Sequence, residues 1–393
     1  MRTVWIVNPF DNLPGEGFRP GRYELLARAL TAAGARVVWL TSDWSHTRKC
    51  VRAVPVRPFP GLELVLVNAA ARPYRRNVSL ARISNHRLFA SAAIVAARRL
   101  GSEPADRPDL VLVSLPPLSA AAGFLDLRRE WGFKLAVDVQ DAWPETFERL
   151  FPRGLRALAR PVLWPLRRLA RRLYREADLV TGTCDGYAEL VRAYGARTYY
   201  RACLAHAAEA RPRRKSAEKG LRFVYIGNLG RSYDLATVIA AVNALPDATL
   251  DIAGDAPPRR EGRVTWHGYL ADAELKALLA ECDIGVVPLR DDSFIGIPNK
   301  VADYAAAGLY VLSSLRGECA AFLERTGLGA FYEPGDSASL VAAAKAAAAE
   351  LPKSRALPPE LDAAQVYPAF AARLLEFAGT DPRICGDRPQ IGS

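Results

Sequence analysis

The sequence is poor in the residues that hold metals and cross-link chains. Its six cysteines (Cys50, Cys184, Cys203, Cys282, Cys319 and Cys385) are scattered, with no C-x-x-C pair. That spacing supports neither a zinc site nor a disulfide framework. Histidine is scarcer: His46, His86, His206 and His267 are the full set, and no two stand at ligand spacing. No metal centre and no cofactor is therefore expected. Long apolar runs are missing too, none approaching the roughly 20 residues that a membrane span needs. The chain opens straight into an apolar strand, Thr3-Val4-Trp5-Ile6-Val7, which Asn8-Pro9 ends. A run that short is no signal peptide, so a cytoplasmic location is expected.

What is present is a globular composition. At 393 residues, 50% of them hydrophobic and 24% charged, the chain can bury two cores of ordinary size. The net charge is +11, and the excess is arginine rather than lysine. Such a balance admits nucleic acid, an anionic membrane surface or phosphate-rich substrates. No zinc-finger, aromatic RNP or K/R-G-F pattern occurs, so nucleic acid is not an expected partner.

Apolar strands are expected at 4–7, 37–40, 62–67, 110–114, 135–139 and 179–181, with helical spacing at 23–33, 87–99, 120–131 and 166–176. An arginine-rich interval from Arg211 to Gly220 breaks the alternation. Strands resume at 221–226, 249–252, 264–266, 284–287, 311–313 and 330–332, with helices at 235–244, 272–281, 300–307 and 337–350. Continuous apolar strands alternating with helices argue for parallel sheets covered on both faces. The expected fold class is α/β, two tandem Rossmann-like doubly wound domains. Their expected bounds are 1–210 and 221–365, with a linker at 211–220, a further helix at 366–379 and a disordered tail at 380–393. Ligands of such sheets lie at the carboxyl ends of the strands.

The stretch from Pro298 to Ser314 reads as a loop, a helix with Lys300 in its first turn, a glycine stop at Gly308 and an apolar strand. A helix N-terminus attracts phosphate, and Lys300 adds a full charge. Asp303 follows on the same face and suits a ribose diol, although an ordinary amphipathic helix with a capping proline has the same spacing. Upstream, strand 221–226 runs into Gly227-Asn228-Leu229-Gly230-Arg231. Glycines there let a pyrophosphate approach the backbone, and Arg231 can neutralise it; a plain βα turn is the alternative. Trp266-His267-Gly268-Tyr269-Leu270 likewise ends a strand, and His267 fits a structural or stacking role better than proton transfer.

These motifs, in this order, resemble the signature of the family 4 glycosyltransferases across roughly residues 1–375. The resemblance implies the GT-B architecture, a last helix crossing back to the first domain, and retaining, metal-independent transfer from a nucleotide-diphosphate sugar. It implies donor contacts from Gly15, Gly17, Gly227, Asn228, Gly230, Pro298, Asn299 and Asp303, and backbone contacts to the base from His267, Gly268 and Tyr269. Lys300 and Arg231 would stabilise the departing diphosphate. The metal-binding D-x-D triplet of other transferases is absent.

In the first half, the glycine loop from Asn8 to Arg22 would face the diphosphate and acceptor, with Arg19 and Arg22 adding charge to the cleft. The run Asp138-Val139-Gln140-Asp141-Ala142-Trp143-Pro144-Glu145 looks like the D-x-x-D-x-W-P-E of a branch linked to surface polysaccharide assembly, and makes Asp141 the candidate for acceptor or donor-sugar contact. Asp138 fits a strand-end structural carboxylate equally well. One departure concerns the acidic pair eight positions apart: Asp303 matches the second acid, but the first falls on Ile295. The hexose would then rely on backbone amides, Asp292 or Ser293. The expected partners are a nucleotide-diphosphate sugar, a glycan or lipid-linked acceptor, and an anionic membrane surface. For the last, Arg167, Arg168, Arg171, Arg172 and Arg175 surround Leu166, Leu169 and Leu173 at helical spacing, although a core-facing helix with a solvated basic back fits that pattern too. A nucleotide-sugar epimerase shares the architecture, but needs cleft acid–base residues of which this chain has few.

Overall fold

The computed structural model describes residues 1–52, 58–76, 79–148, 151, 156–208, 220–230, 232–290, 296–351 and 356–379. Among these, the first sheet comprises β1 (Thr3–Val7), β2 (Arg36–Ser42), β3 (Leu62–Val67), β4 (Leu110–Leu115), β5 (Lys134–Val139), β6 (Leu179–Gly182) and β7 (Tyr199–Arg201). All pair in parallel, in the order β3-β2-β1-β4-β5-β6-β7. Strands β1, β4, β5 and β6 are buried at every residue. Being covered on both faces, they read as continuous apolar runs rather than alternating ones.

Helix α1 (Arg22–Ala32) covers one face of this sheet; α2 (Leu80–Leu100), α3 (Leu118–Trp131), α5 (Arg156–Glu176) and α6 (Asp185–Ala193) cover the other. A short α4 (Glu145–Glu148) follows β5. Helix α2 starts earlier than expected because the Ser79 hydroxyl caps it, accepting from the Arg82 N–H at 3.2 Å. Helix α5 is longer than expected, running through Pro161 and Pro165. A proline normally ends a helix; here buried Ala159, Leu163, Ala170 and Leu173 hold both halves to the body of the domain.

The second sheet comprises β8 (Arg222–Ile226), β9 (Thr249–Ala253), β10 (Arg259–Glu261), β11 (Val264–Gly268), β12 (Ile284–Val287), β13 (Tyr310–Ser313) and β14 (Gly329–Phe331). Its order is β10-β11-β9-β8-β12-β13-β14, parallel except for the exposed edge strand β10. Helices α7 (Leu235–Ala244) and α11 (Ser337–Glu350) pack on one face, and α8 (Asp272–Ala280), α9 (Asn299–Ala306) and α10 (Glu318–Thr326) on the other. In each sheet the strand order reverses beside the first strand of the unit, which leaves a crevice at the carboxyl ends there.

The last helix, α12 (Ala363–Gly379), returns to the first unit. Its Tyr367, Phe370 and Leu374 are buried with Tyr23, Leu26 and Leu30 of α1. The interval 211–219 and the tail 380–393 lie outside the described residues.

Candidate active site

The crevice of the second unit opens between β8 and β12, and Tyr304 explains how α9 is seated in it. Gly285 on β12 leaves room for the Tyr304 ring; a Cβ at Gly285 would fall 2.3 Å from it. The Tyr304 hydroxyl accepts from the Ile226 N–H at 3.0 Å and donates to the Val286 carbonyl at 3.3 Å. It thereby ties α9 to both strands that flank the crevice. Lys300 lies one turn earlier on the same face, so its ammonium is carried over the loop that follows β8.

A Cβ at Gly227 would stand 3.0 Å from Lys300 Nζ, and Gly227 has φ +113°, a conformation that favours glycine. The ammonium donates to the Tyr233 hydroxyl at 3.0 Å and lies 4.1 Å from that ring's centroid. Among the described residues no carboxylate pairs with it. Two residues not singled out from the sequence complete the floor. Gly254, just past β9, lets the backbones meet: a Cβ there would lie 2.0 Å from the Gly227 carbonyl oxygen. Asp255 accepts from the Leu229 N–H at 2.7 Å and holds the glycine loop. A Gly-Asp pair directly after an apolar strand was the available signal.

Around this floor, the Tyr269 hydroxyl donates to Asn228 Oδ1 at 3.1 Å, and Gly230 faces open space. The Gly268 carbonyl accepts from the Gly254 N–H at 2.9 Å. The side chain of His267 is engaged elsewhere: Nε2 lies 2.7 Å from Asp251 Oδ1 on β9, and Arg222 pairs with the other oxygen at 3.3 Å. Arg231 and residues 291–295, which include Asp292, Ser293 and Ile295, lie outside the described residues.

Asp303 is buried and joins the two units. Arg19 of the first-unit loop forms an ion pair with it. His206 Nε2 stands 3.0 Å from both Asp303 Oδ1 and Asn299 Oδ1. Burial works to raise the Asp303 pKa, but Arg19 and His206 outweigh it and hold the carboxyl below its ordinary range. A second junction lies nearby, where Glu318 of α10 accepts from the Asp185 and Gly186 N–H groups at the start of α6 at 3.0 and 3.3 Å.

In the first-unit loop, Gly15 and Gly17 have φ +88° and +80°. Asp11, in the same loop, accepts from the Tyr23 N–H at 3.2 Å, and burial pushes its pKa up to about 6. Arg22 corrects the expectation: it adds no charge to the cleft. From the first turn of α1 it points into the core, where Nε and Nη2 donate to Asp138 at 2.8 and 2.9 Å. Tyr23, Thr181 and Gln140 complete the Asp138 carboxylate at 2.7, 2.6 and 2.7 Å. Asp138 is thus a structural carboxylate, and Gln140 is turned onto it. Asp141 Oδ2 accepts from Trp143 Nε1 at 3.0 Å and Oδ1 from Thr146 at 2.8 Å, which fixes the turn into α4. Beside it, Arg82 stacks 5.3 Å from the centroids of both Phe10 and Trp143. His46 and His86 line the same corner, and burial, reinforced by Arg82 at both and by Lys49 at His46, drops their pKa values to about 3, so both are neutral near pH 7.

Two parallel doubly wound units facing each other across such a cleft define the GT-B class of enzyme. Two families match the chain in tandem: a glycosyl transferase 4-like domain over residues 21–201 and the glycosyl transferases group 1 over residues 220–350. Both units of the chain thus carry glycosyl transferase domains, and the chain is a glycosyltransferase. No protein of curated function matches the sequence. Solved structures of similar fold include sucrose-phosphate synthase from Thermosynechococcus elongatus, at 16% identity over 96% of each chain and a TM-score of 0.68. Trehalose 6-phosphate synthase from Burkholderia multivorans is similar at 14% identity over 96% of this chain and 99% of that one, TM-score 0.65. Anabaena HepE in complex with UDP and glucose is similar at 13% identity over 95% and 96%, TM-score 0.57.

Proposed function

We propose that this glycosyltransferase moves a hexose, with retention and without a metal ion, from a nucleotide-diphosphate sugar to a lipid-linked glycan in cell-surface polysaccharide assembly. The observation that carries the reading is the Lys300 ammonium above Gly227. A diphosphate there would meet a full charge, the α9 N-terminus and backbone approach at once. The UDP and glucose held by Anabaena HepE support a nucleotide diphosphate as donor. In the reaction, the bond from the anomeric carbon to the diphosphate oxygen breaks and the acceptor oxygen bonds to that carbon. The acceptor proton passes to the departing diphosphate, so no dedicated side-chain acid is needed. Lys300 and Arg231 would stabilise the charge that develops, and Asp141 would contact the acceptor or the donor sugar. Incubation with a panel of nucleotide sugars, read as nucleotide release, tests the reading; release from none of them in the presence of glycan acceptors would overturn it.

Asp303 would take the ribose diol, with Arg19 and His206 keeping it ionised. Asp303→Asn is expected to raise the donor KM more than it lowers kcat, because ribose is bound alike in ground and transition states. A collapse of kcat at unchanged KM would instead place Asp303 in the chemistry. Chelation with EDTA is expected to leave turnover unchanged; loss of activity restored by manganese or magnesium would count against metal independence. Among the described residues no helix is long and apolar enough to cross a membrane. Access to a lipid-linked acceptor would therefore come from peripheral contact at the cytoplasmic membrane face, through the basic side of α5.

A further inference from the structure

Of the two readings of the α5 pattern, a membrane-facing helix and a core-facing helix with a basic back, the structure shows the second. Leu163 and Leu173 are buried, and Leu166 and Leu169 pack against the core. Arg167 pairs with Glu148, and Arg172 lies 2.5 Å from Asp126 and 3.4 Å from Glu176. The remaining cations do something the helix alone does not show. A cavity of about 940 Å³ opens between the outer face of α5 and the end of α6, lined by Trp164, Arg168, Arg171, Arg175 and Arg197 together with Glu176, whose carboxylate is paired with Arg172 and Arg129. A second cavity of about 460 Å³ adjoins it and adds Arg192.

Arg168, Arg171 and Arg175 share one face of α5, and Arg192 of α6 and Arg197 of the segment after it approach from the other side; all five are exposed. Among the described residues none of the five has a carboxylate partner. Five guanidinium groups around one concavity repel one another, and an anion set among them relieves that repulsion. Their planar forks match phosphate oxygens two at a time. The rim carries a large apolar ring: Trp164 is 57% exposed, with Arg168 stacked 5.5 Å from it. Arginine beneath and tryptophan above is the pairing that a lipid headgroup layer accommodates.

We propose that this groove is a phosphate-binding site, separate from the donor crevice, which seats the phosphate ester of an anionic lipid while Trp164 enters the headgroup layer. The site lies against the acceptor side of the cleft. The Tyr194 hydroxyl bonds Glu145, and Arg167 reaches Glu148, both on the short helix that follows Asp141. The inference names the place of the membrane contact in the reading above, and does not depend on the transfer reaction.

The test uses the full chain and vesicles of phosphatidylcholine, alone or with about a third phosphatidic acid. Wild type is expected to sediment with the acidic vesicles only. Arg171→Gln/Arg192→Gln/Arg197→Gln is expected to weaken that binding about a hundredfold, while Arg87→Gln/Arg98→Gln/Arg99→Gln, the same charge change on α2, weakens it by about twofold at most. Inorganic pyrophosphate is expected to compete with the vesicles. Equal loss in both triple variants would overturn the groove in favour of net charge alone. Pyrophosphate binding that the first variant abolishes, without any vesicle binding, would replace the lipid by a soluble polyphosphate. Retention of duplex DNA at moderate salt, again without vesicle binding, would overturn it in favour of nucleic acid. Nucleotide release assayed without vesicles is expected to match wild type in both variants. Its absence in all three proteins would fail the donor reading and leave this one standing.

Discussion

Lys300→Ala is expected to lower kcat by well over tenfold while leaving the melting temperature unchanged. The ammonium lies over Gly227 and has the Tyr233 hydroxyl and ring as its neighbours. Among the described residues its removal strands no buried carboxylate, so the fold is expected to lose little. What is lost is a preorganised positive charge where the diphosphate departs, typically worth about 3–4 kcal/mol in the transition state. Steady-state kinetics with the best donor and a thermal melt of each protein decide the matter. A kcat within about twofold of wild type, at an equal melting temperature, would remove Lys300 from the chemistry.

The largest loss of stability is expected from Arg22→Ala. Asp138 has no solvent exposure and depends on the Arg22 fork for its counter-charge. Breaking a buried pair from one side leaves an uncompensated charge and costs about 3–5 kcal/mol. The pH dependence identifies the cause. In wild type, burial works to raise the Asp138 pKa and Arg22 overcomes it, holding the carboxyl below its ordinary range. The pair therefore contributes fully above that range, and its contribution falls away only as pH drops through the depressed folded pKa. Without Arg22, burial raises the Asp138 pKa, and acid restores a neutral side chain that needs no partner. The deficit measured by urea unfolding is thus expected to be larger at pH 8 than at pH 5. An equal deficit at both would mean that the loss is the packing of the Arg22 side chain over Phe370, 5.0 Å away, rather than a stranded charge.

Elements with a strong local signal were legible before the structure. Strands β1, β4, β5 and β12 read correctly because each residue in them is buried. Helices α7 and α11 carry their own capping aspartates, Asp234 and Asp336. Three elements gave no such signal. Helix α6, only nine residues long, is held at its N-terminus by Glu318 from the other unit. Strand β7 has three residues and α10 nine, too few for a period to show. The start of α5 was hidden by Pro161 and Pro165, whose cost is met by packing that no local rule registers.

The sequence by itself determined the class of fold, the two-unit alternation, the glycine loop after β8 and the place of Lys300 in the first turn of α9. Solvent exclusion and backbone preference act on each residue or on its near neighbours, so they leave periodic traces along the chain. Only the tertiary structure decided what each charged side chain does. Arg19 and Arg22 sit three positions apart in one loop, yet Arg19 reaches Asp303 in the second unit and Arg22 turns inward to Asp138. Nor did the sequence reveal that Gly285 makes room for Tyr304, or that Arg192 and Arg197 complete a groove begun on α5. The partners of Arg22 and Asp138 lie 116 residues apart, and Lys300 meets the Gly227 loop because strand order sets β12 beside β8. A pairing at that separation is a property of two distant segments together, and neither segment carries it alone.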